Sequence, residues 1–287
     1  MRDEQKINWK RSGSVPVVKD AAKGEVHMLQ FPLLEQQSWI SHGFSTRMGG
    51  VSEGCYTSMN LSFTKGDDPE KVMENYRRMA EMLEMDVERM VLSFQTHTTN
   101  VRLVTKEDAG KGIVKERDYT DVDGLITNIP GITLVTFYAD CVPLYFVDPV
   151  HHAIGLSHSG WRGTVHRMGQ VTLKAMNQAF QTNPEDVICA IGPSICQSCF
   201  EVGGEVIEEF QKEFDSSYWE QLFYEKPNGK YQLDLWKANE IVLLEAGIQK
   251  EHLQITDICT RCNPEYLFSH RIMGNERGNL AAFLGIR

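Results

Sequence analysis

Residues 132–158 read ITLVTFYADCVPLYFVDPVHHAIGLSH. Three runs in it, Ile132–Tyr138, Leu144–Val147 and Ile154–His158, are rich in β-branched, leucine and aromatic residues. Short apolar runs of that composition, bounded by turn-forming residues, predict β-strands. Between the first two lies Ala139-Asp140-Cys141-Val142-Pro143, an acid and a thiol dropped between apolar strands. The whole stretch 132–147 is too short and too interrupted, by Asp140 and Pro143, to cross a bilayer.

Working outward, Met90–Phe94, Val101–Val104, Gly124–Thr127, Val187–Ile191, Phe268–His270 and Leu280–Leu284 are further strand candidates. A helix is predicted over 68–84, opened by Asp-Asp-Pro-Glu and carrying Val72, Tyr76, Met79 and Leu83 on one face. Others are predicted over 165–181, over 205–214 and from an Asp234 cap to Gly247. Strands in consecutive runs with about four helices predict an α+β fold, its helices covering the outer faces of packed sheets. No stretch reads as an interdomain linker. Residues 31–287 are expected to be one catalytic domain, and 1–30 an N-terminal arm or edge segment.

At 287 residues the chain can bury a substantial core without covalent staples. Its net charge of −10 disfavours a broad nucleic-acid or membrane surface, while leaving room for a local anion pocket. The seven cysteines are odd in number, and the charged stretch Met1–Lys10 carries no apolar leader core. Reduced thiols and a cytoplasmic location are therefore expected.

The chemistry-bearing segments sit at strand ends. A cysteine in a turn is commonly just buried, but His158 closes the next strand but one, and His97 closes Phe94-Gln95-Thr96-His97. His97, Cys141 and His158 together suit a zinc site with an open fourth position, although their spacings of 44 and 17 residues match no short zinc pattern. Asp140, next to Cys141, is the candidate proton shuttle. Arg162 in Gly160-Trp161-Arg162-Gly163-Thr164, Arg47 beside Ser45, and Arg271 are candidate clamps for an anionic substrate group. Two C-x-x-C pairs, Cys196/Cys199 and Cys259/Cys262, have the ligand types for a second, structural zinc site. The 59 residues between them (200–258) exceed a compact zinc ribbon, and Cys199 precedes Phe200 in an apolar run, so the pairs are not expected to meet.

The segments HGFSTRMGGVS (42–52), QTH (95–97), ADCVPL (139–144), HSGWRGT (158–164) and CTRCNPEYLFSHR (259–271) resemble the YfiH family. These are laccase-domain-containing proteins also described as purine nucleoside phosphorylases. The likeness runs from about residue 40 to the C-terminus. It implies a CNF/YfiH-like α-β-β-α sandwich with mixed sheets, related in topology to deamidating toxins that use a Cys-His pair. It implies metal ligands at His97, Cys141 and His158. The implied activity is phosphorolysis of adenosine, inosine and methylthioadenosine, with adenosine deamination by a zinc-bound water as a second activity. Copper is the alternative metal. A purine nucleoside and phosphate are the implied partners, and no oligomeric state follows.

Three rivals remain at this level. A metal-free cysteine hydrolase would use Cys141 as nucleophile and His158 as base. A copper polyphenol oxidase has suitable ligand types, but a multicopper centre needs closely paired histidines that the nine present do not form. A non-enzymatic nucleoside-binding protein would use the same pocket without turnover.

Overall fold

The run 132–158 becomes three strands divided between two sheets. Thr133–Tyr138 lies in the first sheet, whereas Val142–Asp148 and Ala153–Ser159 pair antiparallel in the second, with Pro143 opposite His158. Ala139–Cys141 is thus the crossing from one sheet to the other. The structure, a computed structural model, describes residues 7–287. The first six residues of the expected 1–30 segment lie outside the described residues.

The first sheet runs, in spatial order, Lys19–Lys23, Val26–Gln30, Ile40–Ser45, Leu280–Ile286, Thr133–Tyr138 and Met90–Leu92. The second runs Leu253–Ile255, Ile188–Ile191, Val142–Asp148, Ala153–Ser159, Gly124–Thr127 and Val101–Leu103. Both are mixed, each with parallel pairing at an edge. A small third sheet joins Glu201–Val202, Tyr231–Leu233 and Phe223–Glu225.

Side-chain alternation builds the layers. Leu134 and Tyr138 face Tyr145, Val147, Ile154 and Leu156 in the core between the sheets. Val135, one residue out of phase, packs outward against Val72, Tyr76, Met79 and Leu83 of the helix Pro69–Leu83. On the other side, Leu144 and Phe146 pack against helical Leu173, Met176, Val242 and Leu243. Three apolar interfaces between four layers make an α-β-β-α sandwich. Both faces of each sheet are covered, so the central strands read as continuous apolar runs rather than as alternating ones. Among the described residues no helix is long and apolar enough to cross a membrane.

Local chemistry sets the helix ends. Asp68 caps Pro69–Leu83 by accepting from the Glu70 N–H, and Glu84 ends it in the left-handed conformation. Asp234 caps Leu235–Glu245 through the Lys237 N–H. The helix expected over 165–181 is Met168–Phe180, and Arg167, at φ +57°, separates it from a short preceding helix, Trp161–Val165. The strand expected at Phe268–His270 is absent. Ser269 instead precedes a short helix, His270–Met273, and Phe268 is buried in the core between the sheets under the Arg47 guanidinium.

The expectation that the C-x-x-C pairs stay apart is overturned. Ile188–Ile191 and Leu253–Ile255 are parallel neighbours, and Ser194 bridges Cys259 in parallel just beyond them. Pairs far apart in sequence therefore leave adjacent strands at the same end and converge.

The N-terminal segment is latched by one carboxylate. Buried Asp257 accepts from Arg11 Nη1 at 2.6 Å and from the Val17 and Val18 N–H groups. Removing it leaves a cation and two amides unpaired. Asp257→Ala is expected to lower stability by about 2–4 kcal/mol, read as a shift in the urea midpoint. An unchanged midpoint would show that the latch contributes nothing.

Candidate metal centre

Two loops that cross between the sheets meet at one end of the sandwich. Cys141 lies in the 139–141 crossing. His97 lies in the loop 93–100, which leaves Met90–Leu92 in the first sheet and enters Val101–Leu103 in the second. His158 is supplied by the strand Ala153–Ser159. The ligand-capable atoms of His97, Cys141 and His158 all lie within 4.8 Å of one another, with Cys141 Sγ 4.0 Å from His97 Nε2. His97 is exposed, Cys141 partly buried and His158 buried.

The sequence reading missed the residue that organises this centre. Asp123, fully buried, accepts from the N–H groups of Thr96, His97 and Thr98 and from His158 Nδ1 at 2.8 Å. Its signal was its place at the head of the expected strand 124–127. That strand pairs with the one carrying His158, Gly124 opposite Ser157, which sets Asp123 beside the imidazole. With Nδ1 held by Asp123, His158 presents Nε2 to the centre. Two imidazoles and a thiol, one imidazole backed by a carboxylate and a fourth position open to the cavity, fit the donor set of a catalytic zinc.

The electrostatics couple the same residues. Burial opposes the Cys141 thiolate, but His158 and then His97 outweigh it and lower the thiol to about 6. Burial also opposes a charged His158, yet Cys141 and Asp123 raise it to about 9. Two backbones are strained here: His97 at φ +66° and Asp140 at φ +92°. Such conformations in residues with a Cβ cost on the order of 1–3 kcal/mol and need surrounding support. Gly160 packs close to the centre. A Cβ there would stand 3.1 Å from His97 Cδ2 and 3.2 Å from Cys141 Sγ.

A cavity of about 290 Å³ opens on His97, Cys141 and His158. Phe63, Phe94 and Phe137 supply apolar wall, and Lys65, Arg117 and Arg277 supply positive charge. None of these cations was singled out from the sequence. The anion clamps expected from sequence do not line the cavity. Arg47 donates to the Thr57 and Pro264 carbonyls and covers Phe268. Ser45 is buried and its Oγ accepts from the Ala281 N–H. Arg271 donates to the Glu201 carbonyl, and exposed Arg162 lies over Trp161. Asp140 accepts from Thr260 Oγ1 at 2.6 Å and from the Arg271 N–H at 2.7 Å, so both its oxygens are committed to the turn.

Two substitutions probe the centre. Gly160→Ala should leave the melting temperature close to that of the parent while crowding two ligands, so that bound metal falls in elemental analysis. Asp123→Asn should weaken metal binding by about 10–100-fold in chelator competition. Undiminished affinity in both would mean that the metal is held elsewhere.

The family described as multi-copper polyphenol oxidoreductase laccase matches residues 41–287. A Bacteroides thetaiotaomicron protein named purine nucleoside phosphorylase is 38% identical over 255 residues, 88% of this chain and 94% of that one. A protein from an unknown prokaryotic organism named adenosine deaminase RL5 is 35% identical over 247 residues, covering 85% of this chain and 92% of its own. The crystal structure of YlmD from Geobacillus stearothermophilus superposes with a TM-score of 0.86 at 33% identity, over 95% of this chain and all of that one. Sequence motifs, layered fold and the covered lengths agree, and the chain belongs to this YfiH-type family of laccase-described, purine nucleoside phosphorylase-like proteins.

Proposed function

We propose that the protein is a cytoplasmic purine nucleoside phosphorylase acting on adenosine, inosine and methylthioadenosine, with adenosine deamination as a second activity, and that His97, Cys141 and His158 hold its zinc. The observation that carries this reading is the union of the three ligands with a cavity whose wall is both aromatic and cationic. The relatives named purine nucleoside phosphorylase and adenosine deaminase support it. All seven cysteines are free, in keeping with a reducing compartment.

The aromatic wall takes the purine face, since Phe94 and Phe137 offer flat apolar surface. Lys65, Arg117 and Arg277 hold the phosphate. Arg277 is 8% exposed; its Nη1 donates to the Gly278 carbonyl and Asn279 Oδ1, and its buried Nε has no hydrogen-bond partner. In phosphorolysis a phosphate oxygen bonds to ribose C1′ as the glycosidic bond breaks and its electron pair leaves with the base. Asp123 holds His158 in one orientation. Asp140 holds the turn that presents Cys141, a positioning role in place of the proton shuttle expected from sequence. Zinc at this centre would supply Lewis-acid activation of water near neutral pH, the chemistry that deamination requires.

A second reading has its own observation. Asp123, His158 and Cys141 line up as acid, imidazole and low-pKa thiol, the arrangement of a metal-free cysteine hydrolase. Chelation separates the two, since only the hydrolase survives it.

With adenosine and phosphate, chromatography should show adenine and ribose 1-phosphate; with adenosine alone, inosine. Lys65→Ala should raise the apparent KM for phosphate by about tenfold or more and leave deamination unchanged. If neither product exceeds background, while chelated protein still cleaves an amide or ester until Cys141 is alkylated, the hydrolase reading replaces this one.

A further inference from the structure

A second cluster of metal-ligating side chains lies outside the cavity. The Sγ atoms of Cys196, Cys199, Cys259 and Cys262 all fall within 4.8 Å of one another, with Cys199 and Cys262 3.4 Å apart. Zinc–sulfur bonds of about 2.3 Å at tetrahedral angles set sulfurs about 3.8 Å apart, so four such sulfurs already outline one ion. A disulfide needs a separation of about 2.05 Å, and none of the four is bonded to another.

The backbone is shaped for a metal as well. Each pair forms a tight turn. In the first, the Cys199 and Phe200 N–H groups both donate to the Cys196 carbonyl. The Cys196 N–H donates to Cys259 Sγ at 3.3 Å, and Arg261 Nη1 donates to Cys199 Sγ at 3.3 Å. Donors aimed at sulfur stabilise thiolates, and the guanidinium offsets part of the charge that four thiolates bring.

We propose that Cys196, Cys199, Cys259 and Cys262 bind a structural zinc ion, and that this ion braces the turn presenting Cys141. Both knuckles touch Asp140: the Ile195 N–H donates to its carbonyl, and Thr260 Oγ1 donates to its carboxylate. A four-thiolate site has no open position, so its work is mechanical. It fixes two adjacent strand ends against a residue held at φ +92°.

Elemental analysis of protein purified without chelator tests this. The parent should carry two zinc ions per chain, and Cys141→Ser should keep one. Cobalt loaded into Cys141→Ser should give the visible and near-ultraviolet bands of a tetrathiolate centre. This readout leaves all four ligands in place and does not depend on a cluster variant folding. In Cys141→Ser protein, whose one remaining zinc is that of the cluster, zinc removal should also speed amide exchange at 139–141 and 195–199, and reloading should reverse it. Cys141→Ser protein without metal, its four cluster thiols alkylated as readily as exposed Cys55, would overturn the proposal. So would an iron chromophore, or an intact mass showing a disulfide among the four. Unchanged exchange on zinc removal would overturn the bracing role.

Discussion

Asp123 is a carboxylate with no solvent exposure, and such a group is tolerated only when donors surround it. It has five: the N–H groups of Thr96, His97 and Thr98, the Thr98 hydroxyl, and His158 Nδ1. The first four fold the loop 93–100 around it, and the fifth fixes an imidazole from a different strand. Two of the three candidate ligands thus take their positions from one buried charge. Asp121 reinforces the same loop from outside, accepting from Thr96, Thr98 and Asn100 side chains. The strained His97 backbone persists because this network over-determines it.

The third candidate ligand depends on a separate support. Cys141 follows Asp140, whose carboxylate and carbonyl are tied to Thr260, Arg271 and Ile195. These partners come from the far edge of the second sheet and from the segment after it. The centre is therefore held from two sides, by Asp123 within the 93–100 loop and by the cysteine-rich knuckles behind Asp140. Both sides converge because two of the crossings between the sheets, 93–100 and 139–141, lie at the same end of the sandwich. Charge is distributed in the same way. The chain is acidic overall, yet Lys65, Arg117 and Arg277, from three distant segments, make the cavity locally positive.

Much of this architecture was legible in the residues. The run 132–158 specified three strands, and Asp68 and Asp234 marked helix starts that the structure keeps. Periodicity failed where packing overrode it. Phe268 is a buried core residue outside any strand, followed after Ser269 by the short helix His270–Met273. Of the first three strands of the first sheet, only the edge strand Lys19–Lys23 was foreshadowed, as the edge segment expected within 1–30; Val26–Gln30 and Ile40–Ser45 were not read as strands. Spacing misled for the cysteines. A count of 59 intervening residues says nothing about two strands that a sheet sets side by side.

The sequence by itself determined the chemical types at the centre, the imidazoles and thiol of His97, Cys141 and His158, and the layered α+β class. Periodicity and residue chemistry are local properties, and they survive in the one-dimensional order. Tertiary structure alone decided that Asp123 backs His158, that Lys65, Arg117 and Arg277 rather than Arg47 and Arg162 face the cavity, and that four cysteines meet. Each of these is a distance across a sheet or between layers. Such distances are fixed by strand pairing and core packing, which join residues irrespective of their separation along the chain.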